Sequence, residues 1–161
     1  MNSTPSSSVT LATLLSEKQI IPNMVAVDRW QAIEEIVQFL IQGGFLQAHN
    51  KEDILAALAQ REETMSTGIG FGVAIPHAAS DSVHNIIVAF ARSKEGIEFE
   101  SLDEKPVHFI VLFLVPNNQF QTHLKTLSAI AKFLNDRVTR EELMTAQDAM
   151  SIMKIFANKQ S

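Results

Sequence analysis

The sequence predicts an α/β fold, a three-layer sandwich in which a central sheet is flanked by helices on both faces. Residues 86–91 and 107–115 are apolar at nearly every position, which is typical of strands that are covered on both faces. The segments before and after them repeat apolar residues with the helical period. No internal repeat and no interior linker divides the 161 residues. We therefore expect one domain over residues 9–158.

The first elements follow from a proline and from a helix-capping pattern. Residues 9–15 predict a short helix or turn, and residues 20–27 predict an edge strand, because Pro22 has no N–H to give to a ladder. Asp28 and Gln31 have the spacing of a capping box, in which two side chains satisfy free N–H groups at a helix start. We therefore expect an amphipathic helix from Asp28 to the next pair of glycines.

Later helices are predicted from the same signals. Asn50 is a candidate cap for a second helix, which carries its apolar residues on one face and ends near Arg61. Three more helices are expected after the second strand: at residues 119–135, after a capping box of Thr139 with Glu142, and at residues 148–157.

Composition excludes several functional classes. The formal net charge is -5 and no cluster of lysine and arginine stands out, which argues against a nucleic-acid surface. No apolar run is long enough to insert into a membrane. Residues 1–8 are polar and rich in serine, as in a flexible tail rather than a signal peptide. The absence of cysteine excludes disulfides and thiolate chemistry, and together these features indicate a cytoplasmic protein.

A glycine-rich segment is the strongest candidate for function. Three of the six glycines lie within residues 68–72, and a short apolar run then leads to Pro76 and His77. Glycine allows a tight turn and proline fixes φ, so the segment presents the His77 imidazole at a defined point on a sheet edge. A nucleotide-binding loop is rejected, because these glycines lead into a strand whereas nucleotide-binding motifs open a helix.

Three side chains are candidates for chemistry. The imidazole of His77 can take up a group covalently at neutral pH and pass it on, although a histidine can also simply end a strand. His123 lies at a helix start, where anions are favoured, or is a half-buried residue held by the neighbouring loop. Arg61 offers a fork of donors to a phosphate near His77, or is a solvated charge at a helix end.

Other polar residues are assigned no role. Glu62 and Glu63 are adjacent in sequence and are expected to be solvated. The five histidines form no pair at a metal-ligand spacing such as His-x-x-x-His, so no metal site is predicted. Nothing in the sequence indicates a cofactor.

The segment from Arg61 to His77 resembles the active-site signature of a known family. Arg61-Glu62 is followed, over residues 66–77, by Ser-Thr-Gly-Ile-Gly-Phe-Gly-Val-Ala-Ile-Pro-His, and residues 106–116 and 123–132 also look like the family's later strand and helix. The family is the fructose/mannitol-type enzyme IIA domain of the bacterial phosphoenolpyruvate-dependent phosphotransferase system. The resemblance covers about residues 10–156 and implies a mixed sheet between helical layers.

The resemblance implies a phosphotransferase that works through a phosphohistidine. In the family pattern His77 accepts a phosphoryl group from a histidine-containing phosphocarrier protein, His123 supports the phosphoryl group or the imidazole, and Arg61 contacts the phosphate. The chain looks most like the nitrogen-regulatory branch, whose members control partner proteins by their phosphorylation state. The alternatives are a sugar-transport component that passes phosphate to a IIB domain, and a binding module that keeps the fold without phosphorylation.

The chain departs from the family pattern at two places. Ala78-Ala79 stands where the family usually has Gly-Lys, and an alanine at position 78 costs roughly 1 kcal/mol or more if that position requires a positive φ. The missing lysine removes a charge near His77, so transfer is expected to be slower or partner choice altered. Phe71 stands where relatives more often carry a polar residue, and it is a candidate contact for a partner protein.

Overall fold

The computed structural model describes residues 10–160, and a mixed sheet of six strands lies at its centre. The strands are β1 Ile20–Ile21, β2 Gly68–Gly70, β3 Val73–Ala74, β4 His77–Ala79, β5 Ile87–Ile97 and β6 Val107–Val115. They lie in the order β1-β5-β6-β3-β2, and β4 also pairs with β6. β5 and β6 are antiparallel, whereas β1 is parallel to β5, and both β3 and β4 are parallel to β6. The prediction of a mixed sheet is confirmed.

The two long strands contribute side chains to a hydrophobic cluster on each face of the sheet. On β5, Ala89 and Ala91 belong to one cluster, whereas Val88 and Phe90 belong to the other. This is the two-residue alternation of an extended chain. Every residue of β6 is buried except His108, which is half-buried. The apolar runs therefore form strands that are covered on both faces, as predicted.

Helices form the two outer layers. They are α1 Leu11–Leu14, α2 Arg29–Gln42, α3 Lys51–Thr64, α4 Leu124–Leu134, α5 Arg137–Thr145 and α6 Ala149–Gln160. Buried residues of α2 and α3 join the cluster on one face, and those of α1, α4, α5 and α6 join the cluster on the other. Asp28 caps α2, because its carboxylate accepts from the Gln31 N–H at 2.9 Å. The other half of the predicted capping box differs, since the Gln31 side chain accepts from the Val27 N–H at 3.1 Å. The three-layer arrangement is confirmed.

Two predicted boundaries differ from the structure. β1 lies at the sheet edge as expected, but it stops before Pro22 instead of continuing to residue 27, since proline has no N–H for the ladder. Thr139 is buried inside α5 and does not cap it. The cap is Asp136, whose carboxylate accepts from the Thr139 N–H at 2.9 Å. The predicted tail, residues 1–8, lies outside the described residues.

β3 and β4 are two halves of one strand that is interrupted at Ile75-Pro76. Both halves keep the same register against β6, so the interruption causes no slip. Pro76 supplies no N–H, and the Ile75 N–H donates away from β6, to the Thr67 carbonyl at 3.0 Å. The Ile75 carbonyl lies close to the side chain of His77, the first residue of β4.

A tight turn joins β2 to β3 just before this interruption. Phe71 and Gly72 form the turn with φ values of 59° and 79°, in the left-handed region that glycine adopts at low cost and phenylalanine does not. The predicted glycine turn and short strand before His77 are therefore present. In the part of the chain that the structure describes, no helix is both long enough and apolar enough to cross a bilayer.

Candidate active site

The orientation of the His77 ring is fixed by the interruption of the strand. Nδ1 lies 2.8 Å from the Ile75 carbonyl oxygen. A carbonyl can only accept a hydrogen bond, so Nδ1 carries the proton and donates it. In a neutral imidazole the other nitrogen, Nε2, then holds the lone pair. The backbone thus selects the tautomer in which Nε2 is the nucleophilic atom.

Arg61 approaches Nε2 from the last turn of α3. Its Nε–H donates to His77 Nε2 at 3.2 Å, and its Nη1 donates to the Met65 carbonyl at 2.7 Å. The guanidinium is half-buried and is held between the imidazole and the chain that leaves the helix. The structure therefore brings together two of the three candidate residues, Arg61 and His77.

His77 lies in a shallow pocket of about 300 Å³, between α3 and β4. The Phe120 ring closes one side and stacks on the imidazole, with ring centroids 5.9 Å apart and planes 20° apart. Phe120 falls within the helix predicted at residues 119–135, and no role at the site was predicted for it from the sequence. The lining contains no carboxylate, and among residues 10–160 no group of three or more histidines, aspartates or glutamates is placed to hold a metal ion.

The pocket lowers the pKa of His77 below its ordinary value of about 6.5. Burial is the main cause, because it disfavours the charged imidazolium. The hydrogen bond to the Ile75 carbonyl raises the pKa, the positive charge of Arg61 lowers it, and the negative charge of Glu62 raises it. Lowering prevails, so the imidazole is neutral at pH 7, and the neutral form is the one that can attack an electrophile.

Glu62 is buried, and the expectation that it would be solvated is wrong. Only 1% of the residue is exposed. The Thr67 N–H and hydroxyl donate to its two oxygens at 2.8 and 2.5 Å, and Nη1 of Arg29 lies 3.4 Å from Oε2. These partners offset the cost of placing a carboxylate inside the protein.

A sequence signal for the burial of Glu62 was available. Ile54, Leu58 and Glu62 follow one another at intervals of four, and residues at that interval share one helix face. Ile54 and Leu58 are buried in the core, so the same stripe carries Glu62 inward. Glu63 lies off this stripe and is exposed, as expected.

His123 lies near the site but does not line the pocket of His77. It occupies the N-cap position of α4, and its half-buried ring meets the Phe113 ring edge-on, with centroids 6.0 Å apart. Phe113 is the residue of β6 that pairs with His77. The His123 N–H also donates to the Phe120 carbonyl at 3.1 Å. His123 therefore contacts two neighbours of His77.

The two departures from the family pattern occupy different places in the fold. Ala78 is buried in β4 and is not among the described residues with positive φ. Position 78 therefore does not have the positive φ at which an alanine would be strained. Phe71 does have a positive φ, and 62% of it is exposed at the turn, with the Arg140 guanidinium 5.3 Å from its ring centroid.

Comparisons with known proteins agree with this geometry. Residues 13–159 match the family model described as phosphoenolpyruvate-dependent sugar phosphotransferase system, EIIA 2. A fructose-specific EIIA component from Haloferax volcanii is 37% identical over 126 residues, 78% of this chain and 80% of that protein. A nitrogen regulatory protein from Bradyrhizobium diazoefficiens is 32% identical over 147 residues, 91% of this chain and 94% of that protein. The crystal structure of nitrogen regulatory protein IIA-Ntr from Neisseria meningitidis is similar with a TM-score of 0.81 and 33% identity, covering 91% of this chain and 98% of that chain.

Proposed function

The chain belongs to the EIIA 2 family of the phosphoenolpyruvate-dependent sugar phosphotransferase system, whose domains transfer phosphoryl groups, and we propose that it carries a phosphoryl group on Nε2 of His77. The observation that carries this proposal is the hydrogen bond from Nδ1 to the Ile75 carbonyl. It leaves the lone pair on Nε2, the nitrogen that Arg61 contacts. The lowered pKa of His77 supports the proposal, because the ring is neutral at pH 7.

The proposed transfer is a displacement at phosphorus. The lone pair of His77 Nε2 attacks the phosphorus of a phosphohistidine on a histidine-containing phosphocarrier protein. The bond from phosphorus to the donor imidazole breaks, and its electron pair returns to the donor nitrogen. Nδ1 of His77 keeps its proton on the Ile75 carbonyl throughout. Such a step needs positioning and charge stabilisation more than covalent help.

Arg61 is assigned to the charge on the transferring group. When Nε2 attacks, the Arg61 Nε–H loses its acceptor and becomes free for a phosphoryl oxygen, while Nη1 still holds the Met65 carbonyl. His123 is assigned a supporting role, since it bonds to the turn that carries Phe120 against the imidazole. These three assignments, to His77, Arg61 and His123, form the proposed site.

We favour a regulatory role in the cytoplasm, in which the phosphorylation state of His77 controls partner proteins. The similarity to nitrogen regulatory proteins over nine-tenths of the chain supports this branch. The fructose-specific relative, at 37% identity, supports the second candidate, a sugar-transport component that passes phosphate to a IIB domain. The two roles share the phosphorylated histidine and differ in its acceptor.

The phosphorylation is tested by incubating the protein with phosphoenolpyruvate, the first enzyme of the system and the phosphocarrier protein. We expect the intact mass to rise by one acid-labile phosphoryl group, and His77→Ala to abolish this gain. His108→Gln is the matched control, because His108 is also half-buried and its Nδ1 also meets a backbone carbonyl, that of Ser93, at 2.8 Å. A gain that survives in His77→Ala, or no gain in the wild type, would refute the proposal.

The branch is tested by adding a purified IIB domain of the fructose type to the phosphorylated chain. Rapid movement of the phosphoryl group to the IIB domain would favour the transport role. Retention of the phosphoryl group on His77 would favour the regulatory role. Binding of a regulated protein that depends on this phosphorylation would support that role directly. A chain that folds but takes up no phosphate would be the binding module.

A further inference from the structure

A buried carboxylate lies directly behind the candidate site. Glu62 is the neighbour of Arg61 in the last turn of α3, and the two side chains leave the helix in different directions. Arg61 reaches His77, whereas both oxygens of Glu62 accept from Thr67, at 2.8 Å from the N–H and 2.5 Å from the hydroxyl. Arg29 adds its guanidinium 3.4 Å from the same carboxylate.

Arg61 and Glu62 hold the same short segment, residues 65–67, at its two ends. Nη1 of Arg61 donates to the Met65 carbonyl at 2.7 Å, and Thr67 donates twice to Glu62. The segment thus cannot move relative to α3 without breaking one set of bonds. Met65 is exposed, and the residues that follow it are fixed by Thr67 on Glu62 and by the Ser66 hydroxyl, which donates to the Phe99 carbonyl at 2.9 Å.

On the basis of the proposed function, we propose that Glu62 is a positioning residue for phosphoryl transfer, which holds the segment 65–67 so that the guanidinium of Arg61 stays beside Nε2 of His77. The guanidinium has two anchors, the imidazole and the Met65 carbonyl. Attack by Nε2 removes the first anchor. The second anchor then has to keep Arg61 beside the phosphoryl group, and it depends on Glu62 through Thr67.

The charge of Glu62 gives the proposal a second readout. The carboxylate raises the pKa of His77, in opposition to burial and to Arg61. Removing that charge alone should lower the pKa of His77, whereas displacing Arg61 removes the larger lowering effect and should raise the pKa. A rise in Glu62→Gln therefore indicates that Glu62 positions Arg61, and a fall indicates that Glu62 acts on His77 through its charge alone.

The test compares Glu62→Gln with Glu63→Gln, which removes an equal charge from the adjacent, exposed position. NMR titration of the unphosphorylated proteins gives the pKa of His77, and the Arg61 Nε–H signal reports the contact with Nε2. Phosphorylation rates are then measured against the concentration of phosphocarrier protein. Circular dichroism and the NMR spectrum verify that each variant is folded.

Glu62→Gln should raise the pKa of His77, because the lowering effect of Arg61 is larger than the raising effect of Glu62. It should also weaken the Arg61 Nε–H signal and slow the maximal rate by about tenfold to a hundredfold, the effect of a small misplacement at a reacting centre. The phosphocarrier concentration at half-maximal rate should stay unchanged, because Glu62 is buried and so offers no surface to a docking protein. Glu63→Gln should leave all of these values unchanged. Equal behaviour of the two variants would overturn the proposal, as would a rate loss in folded Glu62→Gln without any change in the His77 signals.

Thr67→Val covers the case in which Glu62→Gln does not fold. It removes one of the two donors to the carboxylate and leaves the charge in place. We expect a slower maximal rate without a fall in the pKa of His77, and a wild-type rate would overturn the proposal. The titrations need no phosphoryl donor, so absence of phosphorylation in the wild type would refute the proposed function and still leave the contact of Arg61 with His77 measurable.

Discussion

Replacing Gly68 with alanine should destabilise the fold by about 3 kcal/mol, the upper part of the usual range for overpacking. Gly68 begins β2, and a Cβ at this position would lie 2.9 Å from the Cβ and 3.0 Å from the Cα of Ser101, with its hydroxyl closer still. Neither atom is the end of a flexible side chain. The backbone at Gly68 or at Ser101 therefore has to shift, and the hydrogen bonds between β2 and β3 shift with it.

Ser101→Gly should rescue much of this loss. The buried hydroxyl of Ser101 has no hydrogen-bond partner among the described residues, so its removal leaves no new unsatisfied group. In the double variant the Cβ added at position 68 no longer meets the hydroxyl and Cβ of residue 101. Only its 3.0 Å approach to the Cα of that residue remains. We expect a coupling energy of about 1–2 kcal/mol in favour of the double variant, as is usual for residues in direct contact.

Urea unfolding, followed by the fluorescence of the single tryptophan, Trp30, gives the free energies. Gly44→Ala is the control, because Gly44 has a positive φ of 83°, but a Cβ added there would meet no atom of the described residues within 4 Å. Strain alone should cost about 1 kcal/mol there, and Ser101→Gly should not recover it. A Gly68→Ala protein as stable as the wild type, or equal effects of Ser101→Gly on both alanine variants, would refute the steric reasoning.

Four further predictions concern the site and its supports. Because the proposed attack needs neutral His77 and the pKa of His77 is lowered, the phosphorylation rate should fall in acid with a midpoint below the ordinary histidine value of about 6.5; a midpoint above that value would contradict this. Phe120→Ala should raise the pKa of His77, measured by NMR titration, since burial is the main cause of the lowering; an unchanged value would exclude the ring as a source of that burial. Ala78→Gly should lower the free energy of unfolding by about 0.5–1 kcal/mol and leave the transfer rate unchanged, because the strand does not need glycine there; a faster rate would show that alanine impairs transfer. Asp28→Ala should lower the free energy of unfolding by about 1 kcal/mol through loss of the α2 cap, and Asp28→Asn should retain most of it.

The sequence predicted best those elements whose residue pattern fits only one type of secondary structure. Residues 107–115 are apolar at almost every position, and β6 has those bounds. β5 was expected to end at residue 91, but it continues to Ile97, through polar residues where its register against β6 shifts between Arg92 and Ile97. Thr139 is not the cap because the helix begins earlier: Asp136 accepts from the Thr139 N–H, which places Thr139 in the first turn. The assignment of residues 9–158 to one domain stays a prediction.

The site was predictable in its residue types and not in its contacts. The spacing of Arg61 and His77 in the family pattern anticipated a pair that the structure places 3.2 Å apart. The tautomer of His77 depends on the Ile75 carbonyl, which is positioned by pairing of distant strands and so has no local signature. Phe120 likewise reaches the imidazole only through the fold. The roles of His77, Arg61 and His123 stay proposals.

The hydrogen bond from His77 Nδ1 to the Ile75 carbonyl also bears on how a phosphoryl group would leave. A group bound to Nε2 would sit on a ring whose other nitrogen keeps its proton, because the carbonyl favours the protonated form. Such a ring departs from phosphorus as a neutral imidazole rather than as an anion, which makes it a good leaving group. The same backbone oxygen that prepares His77 as a nucleophile would thus keep the bond to phosphorus easy to break, and so keep the transfer reversible.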